Sequence, residues 1–297
     1  MIKIAVIGGT GLLGSNLVGL YDCYDVKAFS RSHSSNLSEE TNYIIDFNNI
    51  FHELDLIFQN WTPDIIINTV ALVNLEKCEN EFDVAYNVNC MFAGEIARVT
   101  KKISAYYIHI STDHFFNDYE EKHKETDKVT LLNNYAKTKI SAEELIIKEY
   151  ANTLIVRTNI IGFRKNNINS FFEWILESLQ KSNEIYLYTN FFTSPISVKE
   201  LGNILLKCYN ENLVGVYNIG SSEVISKYDF GIKVADVFNL SIDNINKSEL
   251  NNNFSPLKRA LTLGLDVSKI EKALSFSMPT IDQTLISLNN EYRSNNE

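Results

Sequence analysis

The feature that most constrains the fold is a glycine-rich turn near the start of the chain. The stretch GGTGLLG, Gly8–Gly14, directly follows the apolar segment Met1–Ile7. Main-chain N–H groups at the beginning of a helix bind a pyrophosphate well, and glycines let it approach the backbone closely. A strand, a glycine turn and a helix in this order predict a dinucleotide-binding fold. Two registers fit: GxxGxxG beginning at Gly8, or GxGxxG beginning at Gly9.

Short apolar runs alternate with helical patterns through the first half of the chain. Nearly continuous apolar character indicates strands that are buried on both faces, as in a parallel sheet. We therefore predict an α/β fold: a Rossmann-type, doubly wound parallel sheet with a smaller C-terminal α/β region. The predicted strands are Lys3–Ile7, Asp25–Phe29, Tyr43–Ile45, Asp64–Asn68, Ala105–Ile110 and Thr153–Arg157, and the predicted helices span roughly 11–20, 48–58, 80–101 and 134–150.

The length of 297 residues allows two closely joined domains. We expect residues 1–160 to form the cofactor-binding domain that carries the catalytic residues. Residues 161–297 are expected to form a smaller substrate-binding region, with some crossing of the chain between the two.

Charge and apolar patterning exclude several classes of protein. A net charge of −10 argues against a nucleic-acid partner. The four cysteines have no CxxC spacing, so no metal site is expected. The longest strongly apolar stretch, residues 65–73, is too short to span a bilayer. Because the chain begins with its first strand, it has no room for a signal peptide, and we expect a cytoplasmic protein.

The end of the second predicted strand bears on the choice of cofactor. An acidic residue there is typical of NAD-binding proteins, whereas this chain has Ser30 and Arg31. A hydroxyl followed by an arginine would hold a 2′-phosphate through charge-assisted hydrogen bonds, which favours NADP(H). An ordinary surface arginine and NAD(H) are the alternatives. Asp46 and Phe47 follow the third strand and are expected to flank the adenine.

One tyrosine–lysine pair has the spacing of an acid–base site. Of the 15 tyrosines, Tyr135 alone has a lysine four residues later, Lys139. On a helix, this spacing places both side chains on one face, and an ammonium beside a phenol lowers the pKa of the phenol. The preceding predicted strand ends in the hydroxyl residues Ser111 and Thr112, at the edge where open α/β sheets bind ligands.

Together these motifs resemble an extended short-chain dehydrogenase/reductase, and within that superfamily the dTDP-4-dehydrorhamnose reductase group. The resemblance covers nearly the whole chain and favours the glycine register that begins at Gly8. The matching pieces are Ser111-Thr112-Asp113, Asn134–Lys139, Arg157-Thr158, Leu75–Glu79, Ala85–Asn89 and Gly215–Gly220.

The resemblance implies a role for each matching residue. Tyr135 would be the general acid that protonates a ketone oxygen, and Lys139 would hold the nicotinamide ribose and keep the pKa of Tyr135 low. Thr112 would donate a hydrogen bond to the same oxygen, with Ser111 as the alternative. The cofactor would be contacted by Gly8, Thr10, Gly11, Leu12, Leu13, Ser30, Arg31, Asp46, Phe47, Ala71, Leu72, Tyr135, Lys139 and Ile160.

The positions expected to face the substrate depart from the family pattern. The family reads Ala-Tyr-Thr where this chain has Ala71-Leu72-Val73, and it has a tyrosine at His114. It has Ser-Trp where this chain has Asn159-Ile160. We expect Val73, His114 and Asn159 to be substrate contacts that alter sugar recognition, because hydroxyls left unpaired discriminate strongly between substrates. A loop histidine without that role is the alternative for His114.

The resemblance implies NADPH-dependent reduction of a 4-keto group on a nucleotide-activated (deoxy)sugar, in bacterial surface polysaccharide biosynthesis. The expected partner is the nucleotide-sugar substrate, and a homodimer is the expected assembly. A nucleotide-sugar epimerase or epimerase/reductase of the same superfamily is one alternative. A non-catalytic NADP-binding regulatory subunit is another.

Overall fold

The computed structural model describes residues 1–33, 38, 41–116, 121–164, 169–253 and 257–296. The chain forms two compact units, each assembled from three segments. Unit 1 contains Met1–Thr112, Asn133–Arg157 and Gly202–Tyr217. Unit 2 contains Asp113–Leu132, Thr158–Leu201 and Asn218–Glu297.

The elements are numbered in chain order. The strands are β1 (Lys3–Ile7), β2 (Asp25–Ser30), β3 (Asn42–Ile44), β4 (Ile65–Asn68), β5 (Tyr106–Ile110), β6 (Thr153–Arg157), β7 (Ile160–Ile161), β8 (Ile185–Tyr188), β9 (Phe192–Thr193), β10 (Ile196–Ser197), β11 (Gly215–Asn218), β12 (Ile225–Ser226), β13 (Ile245–Ser248) and β14 (Thr262–Leu263). The helices are α1 (Leu12–Leu20), α2 (Ile50–Asn60), α3 (Leu75–Asn80), α4 (Phe82–Tyr86), α5 (Phe92–Ile103), α6 (Asn134–Glu149), α7 (Phe171–Gln180), α8 (Val198–Asn210), α9 (Lys227–Val237), α10 (Ser268–Leu274) and α11 (Ile281–Asn296).

Unit 1 is built on a seven-stranded sheet with the order β11-β6-β5-β4-β1-β2-β3. The pairings among β1–β6 are all parallel. Strands β1, β4 and β6 are almost entirely buried, as their continuous apolar runs predict. The predicted Rossmann-type sheet is confirmed. Strands β2 and β3 are added on one side of β1, and β4, β5 and β6 on the other. In open α/β sheets, ligands bind beyond the carboxyl ends of the strands at the point where the order switches, here between β1 and β4.

The predicted helix over roughly 80–101 is confirmed, but it is not a regular α-helix. Its helical turns run without a break from Phe82 to Ile103, as α4, a π-helical turn at Asn87–Met91 and α5. A π turn inserts an extra residue and changes the direction of the side chains around it. Here it directs Asn89 and Cys90 into the interior, where both are fully buried. Apolar spacing alone does not reveal such a turn.

Unit 2 contains short strands and longer helices. Strand β9 pairs with β12 antiparallel and with β14 parallel, while β8 pairs with β13 and β7 with β10 in parallel. Its core is formed by apolar side chains of α7, α9 and α11 with those of β8 and β13. Among the described residues, no helix has the length and apolar character needed to cross a membrane.

Candidate active site

The glycine turn is too tight for side chains at Gly8 and Gly14. Gly8 has φ +95°, in the left-handed region, and its N–H donates to the carbonyl of Phe29 at 2.8 Å. A Cβ on Gly14 would lie 2.2 Å from the carbonyl oxygen of Gly8. The turn therefore closes tightly against the first turn of α1, whose N-cap is the exposed Gly11. Thr10 and Leu12 are half-buried beside it, while the buried side chain of Leu13 leaves only main-chain atoms for a ligand.

A cleft of about 980 Å³ lies beyond β2 and β3 in unit 1. The exposed Arg31 lines it together with Asp46 and Phe47, so the structure brings these three predicted cofactor residues together. Ser30 is different: its hydroxyl lies 2.8 Å from the carbonyl oxygen of Ser32 and 3.0 Å from Asn42 Oδ1. Ser30 is therefore bonded within the protein.

Two further acidic residues line this cleft, and no sequence motif indicates them. Glu53 on α2 and Asp83 on α4 line it as well. Their carboxylates would repel a bound phosphate, whereas the guanidinium of Arg31 would attract it. The cleft thus places one guanidinium among three carboxylates, counting Asp46. No motif connects residues so far apart in sequence, so only the fold shows that they meet.

The loop after β4 is fixed by the π turn. Asn89 accepts a hydrogen bond from the Leu72 N–H at 2.6 Å and donates to the Leu72 carbonyl at 3.1 Å. It also donates to Thr138 Oγ1 on α6 at 2.9 Å. This clamp holds the half-buried Leu72 and Ala71 beside the switch point of the sheet, and Val73 is 59% exposed.

Helix α6 carries the tyrosine–lysine pair. It begins at Asn134 because the side chain of Asn133 accepts the N–H of Ala136 at 2.9 Å. Tyr135 and Lys139 lie one turn apart and are both buried, at 7% and 1% exposure. Lys139 Nζ donates to the carbonyl oxygen of Ile110 at 2.8 Å. Burial lowers the pKa of Lys139 to about 8.

The two candidate hydroxyls after β5 have different surroundings. The hydroxyl of Ser111 donates to Glu143 Oε1 at 2.5 Å. Glu143 also accepts hydrogen bonds from Arg157 on β6, the shortest being 2.7 Å. Ser111 therefore belongs to a buried ionic cluster, which leaves Thr112, at 5% exposure, as the candidate hydroxyl.

In unit 2, two of the three predicted substrate residues, His114 and Asn159, contact Asp113, which is 1% exposed. Asn159 Nδ2 donates to Asp113 Oδ2 at 2.8 Å, and His114 Nε2 lies 3.9 Å from its Oδ1. Ile160, a predicted cofactor contact, is half-buried in β7. Burial lowers the pKa of His114; Asp113 raises it, and the positive charges of Lys227 and Arg259 lower it further. Lys227 was not expected at this site.

Metal-ligating side chains do not cluster in the part of the chain that the structure describes. No group of three or more histidine, cysteine, aspartate or glutamate residues is arranged there to hold a metal ion.

Comparison with known proteins identifies a family and relatives of similar length. A family model described as the RmlD substrate binding domain matches residues 2–294. A spore coat polysaccharide biosynthesis protein of Bacillus subtilis is 29% identical over 238 residues, which cover 80% of this chain and 79% of the relative. A probable low-salt glycan biosynthesis reductase of Haloferax volcanii is 25% identical over 295 residues, covering 95% and 96%.

A solved structure has the same fold along nearly its whole length. It is a dTDP-4-dehydrorhamnose reductase from Bacillus anthracis in complex with NADP. The TM-score is 0.86 at 22% identity, and the match covers 98% of this chain and 100% of that one.

Proposed function

The chain belongs to the RmlD substrate binding domain family, and we propose that it reduces the 4-keto group of a nucleotide-activated deoxysugar with NADPH. The observation that carries the proposal is the pairing of Tyr135 and Lys139 on α6, in the same unit as the glycine turn. The names of the relatives, a glycan biosynthesis reductase and a dTDP-4-dehydrorhamnose reductase, support the reaction and the substrate class.

The residues of unit 1 fit a dinucleotide. Gly8 and Gly14 leave the backbone open to a pyrophosphate at the beginning of α1, and the cleft bordered by Arg31 has room for an adenosine. NADPH, when bound, supplies a hydride. The NADP complex of the solved relative supports the choice of this cofactor.

The side chains of unit 1 supply the remaining chemistry. Tyr135 would donate its phenolic proton to the carbonyl oxygen as that oxygen gains negative charge. Thr112 would donate a hydrogen bond to the same oxygen and stabilise its charge. Lys139, in its ammonium form, favours the phenolate that Tyr135 becomes. Asn89 keeps the Leu72 loop in place beside them.

The proposal extends to the organisation of the protein. We assign cofactor binding and the catalytic residues to residues 1–160 and the substrate side to 161–297, with some crossing of the chain between the two. Val73, His114 and Asn159, from the first range, would be substrate contacts. The protein would act as a cytoplasmic homodimer on a substrate made in bacterial surface polysaccharide biosynthesis.

Substitution of Arg31 should weaken the binding of NADPH more than that of NADH. In Arg31→Ala we expect the KM for NADPH to rise about 10- to 100-fold, because a charge-assisted hydrogen bond contributes about 1.5–3 kcal/mol. The KM for NADH should change less than about threefold, since NADH has no 2′-phosphate. Steady-state kinetics with both cofactors measure this.

Arg98→Ala is the matched control. Arg98 is an exposed arginine of unit 1 that pairs with Glu95 on α5, and its removal should leave both KM values unchanged. Equal increases of both KM values in Arg31→Ala would contradict a 2′-phosphate contact and favour NAD(H).

The reaction is tested by mixing the protein with NADPH and a panel of 4-keto nucleotide sugars that includes dTDP-4-dehydrorhamnose. Loss of the nicotinamide absorbance with formation of the 4-hydroxy sugar is the expected result. An epimerised sugar formed without net consumption of NADPH would instead identify an epimerase. NADPH binding with no turnover of any sugar would favour a regulatory subunit.

A further inference from the structure

A buried histidine contacts the lysine of the proposed active site. His109, on β5, is fully buried, and its Nε2 lies 3.2 Å from Lys139 Nζ. Its other ring nitrogen, Nδ1, lies 3.2 Å from the side-chain nitrogen of Asn68 on β4. The two ring nitrogens are thus each directed at a nitrogen atom, which restricts where the ring proton can be.

The orientation of Asn68 is fixed by its neighbours. The main-chain N–H of Val70 donates to Asn68 Oδ1 at 3.0 Å, and a main-chain N–H can only donate. Asn68 Nδ2 therefore faces His109 and also lies 3.2 Å from the Tyr107 hydroxyl. The opposite amide orientation would place two donors, the NH2 group and the Val70 N–H, against each other.

The amide group in turn fixes the tautomer of the histidine. Asn68 Nδ2 is a donor, so His109 Nδ1 must accept, and a neutral ring then carries its proton on Nε2. The ring is neutral because burial, together with the charge of Lys139, holds the pKa of His109 well below its ordinary value. The proton on Nε2 consequently points at Lys139 Nζ.

We propose that His109, held by Asn68 in the Nε2–H tautomer, is a positioning residue that disfavours the ammonium form of Lys139. The functional part of this inference rests on the role proposed above for Lys139 in catalysis. A neutral amine can accept the hydrogen bond from Nε2–H, whereas an ammonium would direct one of its own N–H groups at it. Protonation of Lys139 therefore requires the contact with His109 to open.

The other groups around Lys139 act differently. The carbonyl oxygen of Ile110 can accept from either form of the lysine. Glu143, one turn along α6, and Cys90, from the π turn, raise the pKa of Lys139. Burial opposes them, and the pKa of about 8 lies well below the ordinary value for a lysine. His109 acts in the same direction as burial.

The consequence is a lysine whose charge changes close to the working pH. Lys139 would be charged at neutral pH, where the phenolate form of Tyr135 needs stabilisation, and would lose its proton above about pH 8. A lysine beside an acceptor such as a carboxylate would stay charged to a much higher pH.

The tautomer can be observed directly in the free protein. We would label histidine with ¹⁵N, record long-range ¹H–¹⁵N spectra at pH 9, and assign His109 among the five histidines by the signals lost in His109→Gln. The Nε2–H tautomer is expected. An Nδ1–H tautomer or an imidazolium at this pH would overturn the proposal. Neither outcome depends on enzymatic activity, so the result is separate from the test of the reaction.

Asn68→Asp should reverse the arrangement. A carboxylate accepts from Nδ1–H, which turns Nε2 into an acceptor for the Lys139 ammonium. We expect His109 of this variant to be in the Nδ1–H tautomer at pH 9. We also expect the pKa of Lys139, measured from the ¹³Cε chemical shift, to rise by at least one unit, a tenfold change in the ionisation constant. Lys139→Met assigns the signal.

Asn42→Asp is the matched control, because Asn42 is a buried asparagine of the same sheet, on β3. It adds a carboxylate away from His109 and should leave the His109 tautomer unchanged. An Nε2–H tautomer that persists in folded Asn68→Asp would overturn the role of Asn68. If that variant does not fold, the tautomer in the unsubstituted protein still decides the proposal.

Discussion

Replacement of Tyr135 by phenylalanine should lower kcat for sugar reduction by about 10²- to 10⁴-fold, the usual contribution of a general acid. The substitution removes one hydroxyl and keeps the ring, which packs in a small cluster with Cys78 and Ala85 and against the half-buried Leu72 and Leu75. The fold and the cofactor cleft should therefore persist. Steady-state rates of NADPH oxidation and a binding titration with NADPH separate the loss of chemistry from any loss of binding.

Tyr150→Phe is a suitable control for this experiment. Tyr150 lies at the C-terminal end of the same helix, where its hydroxyl donates to the carbonyl oxygen of Ala105. Its removal should leave kcat within about twofold of the unsubstituted protein. If Tyr135→Phe were as active as the unsubstituted protein, Tyr135 would not be the proton donor.

The second large effect concerns the stability of the fold. Arg157→Met should lower the free energy of unfolding by about 3–5 kcal/mol, the cost of leaving one member of a buried ion pair without its partner. Glu143 and Arg157 are only 2% and 5% exposed, and the guanidinium bonds to both carboxylate oxygens. After the substitution, Glu143 would still accept a hydrogen bond from the hydroxyl of Ser111, but it would have no guanidinium to pair with. Urea unfolding at pH 7 measures the change.

Two further variants separate burial from charge. Joint replacement, Glu143→Leu with Arg157→Met, removes both charges and should recover much of the lost stability. Arg98→Ala breaks an exposed pair and should cost less than about 1 kcal/mol. If Arg157→Met lowered the free energy of unfolding by as little as Arg98→Ala, the buried pair would not stabilise unit 1.

Much of unit 1 could be predicted from the sequence because its signals are local. The strand, the glycine turn and the start of α1 are consecutive in the chain, and Tyr135 and Lys139 lie four residues apart within α6. The parallel sheet followed from apolar runs such as β4, which are continuous because both faces are buried.

The remaining features depend on contacts between distant segments. The π turn that places Asn89 under the Leu72 loop has no signature in the apolar spacing. Glu53 and Asp83 reach the cleft bordered by Arg31 only through the packing of α2 and α4. His109 was part of a predicted strand, and its meeting with Lys139 required the register of β5 and the rotation of α6. Helix α11 was missed because its sequence is largely polar.

The most direct test of the proposed reaction follows one hydrogen atom. The protein would be incubated with each 4-keto nucleotide sugar of the panel, dTDP-4-dehydrorhamnose included, and with NADPH that carries deuterium at the transferable position of the nicotinamide. Mass spectrometry and proton NMR would examine the sugar product. The proposed function predicts a product one deuterium heavier from at least one of these sugars, with the label at C4, and no such product from Tyr135→Phe at matched times. Recovery of every sugar without the label, whether unchanged or epimerised, would contradict it.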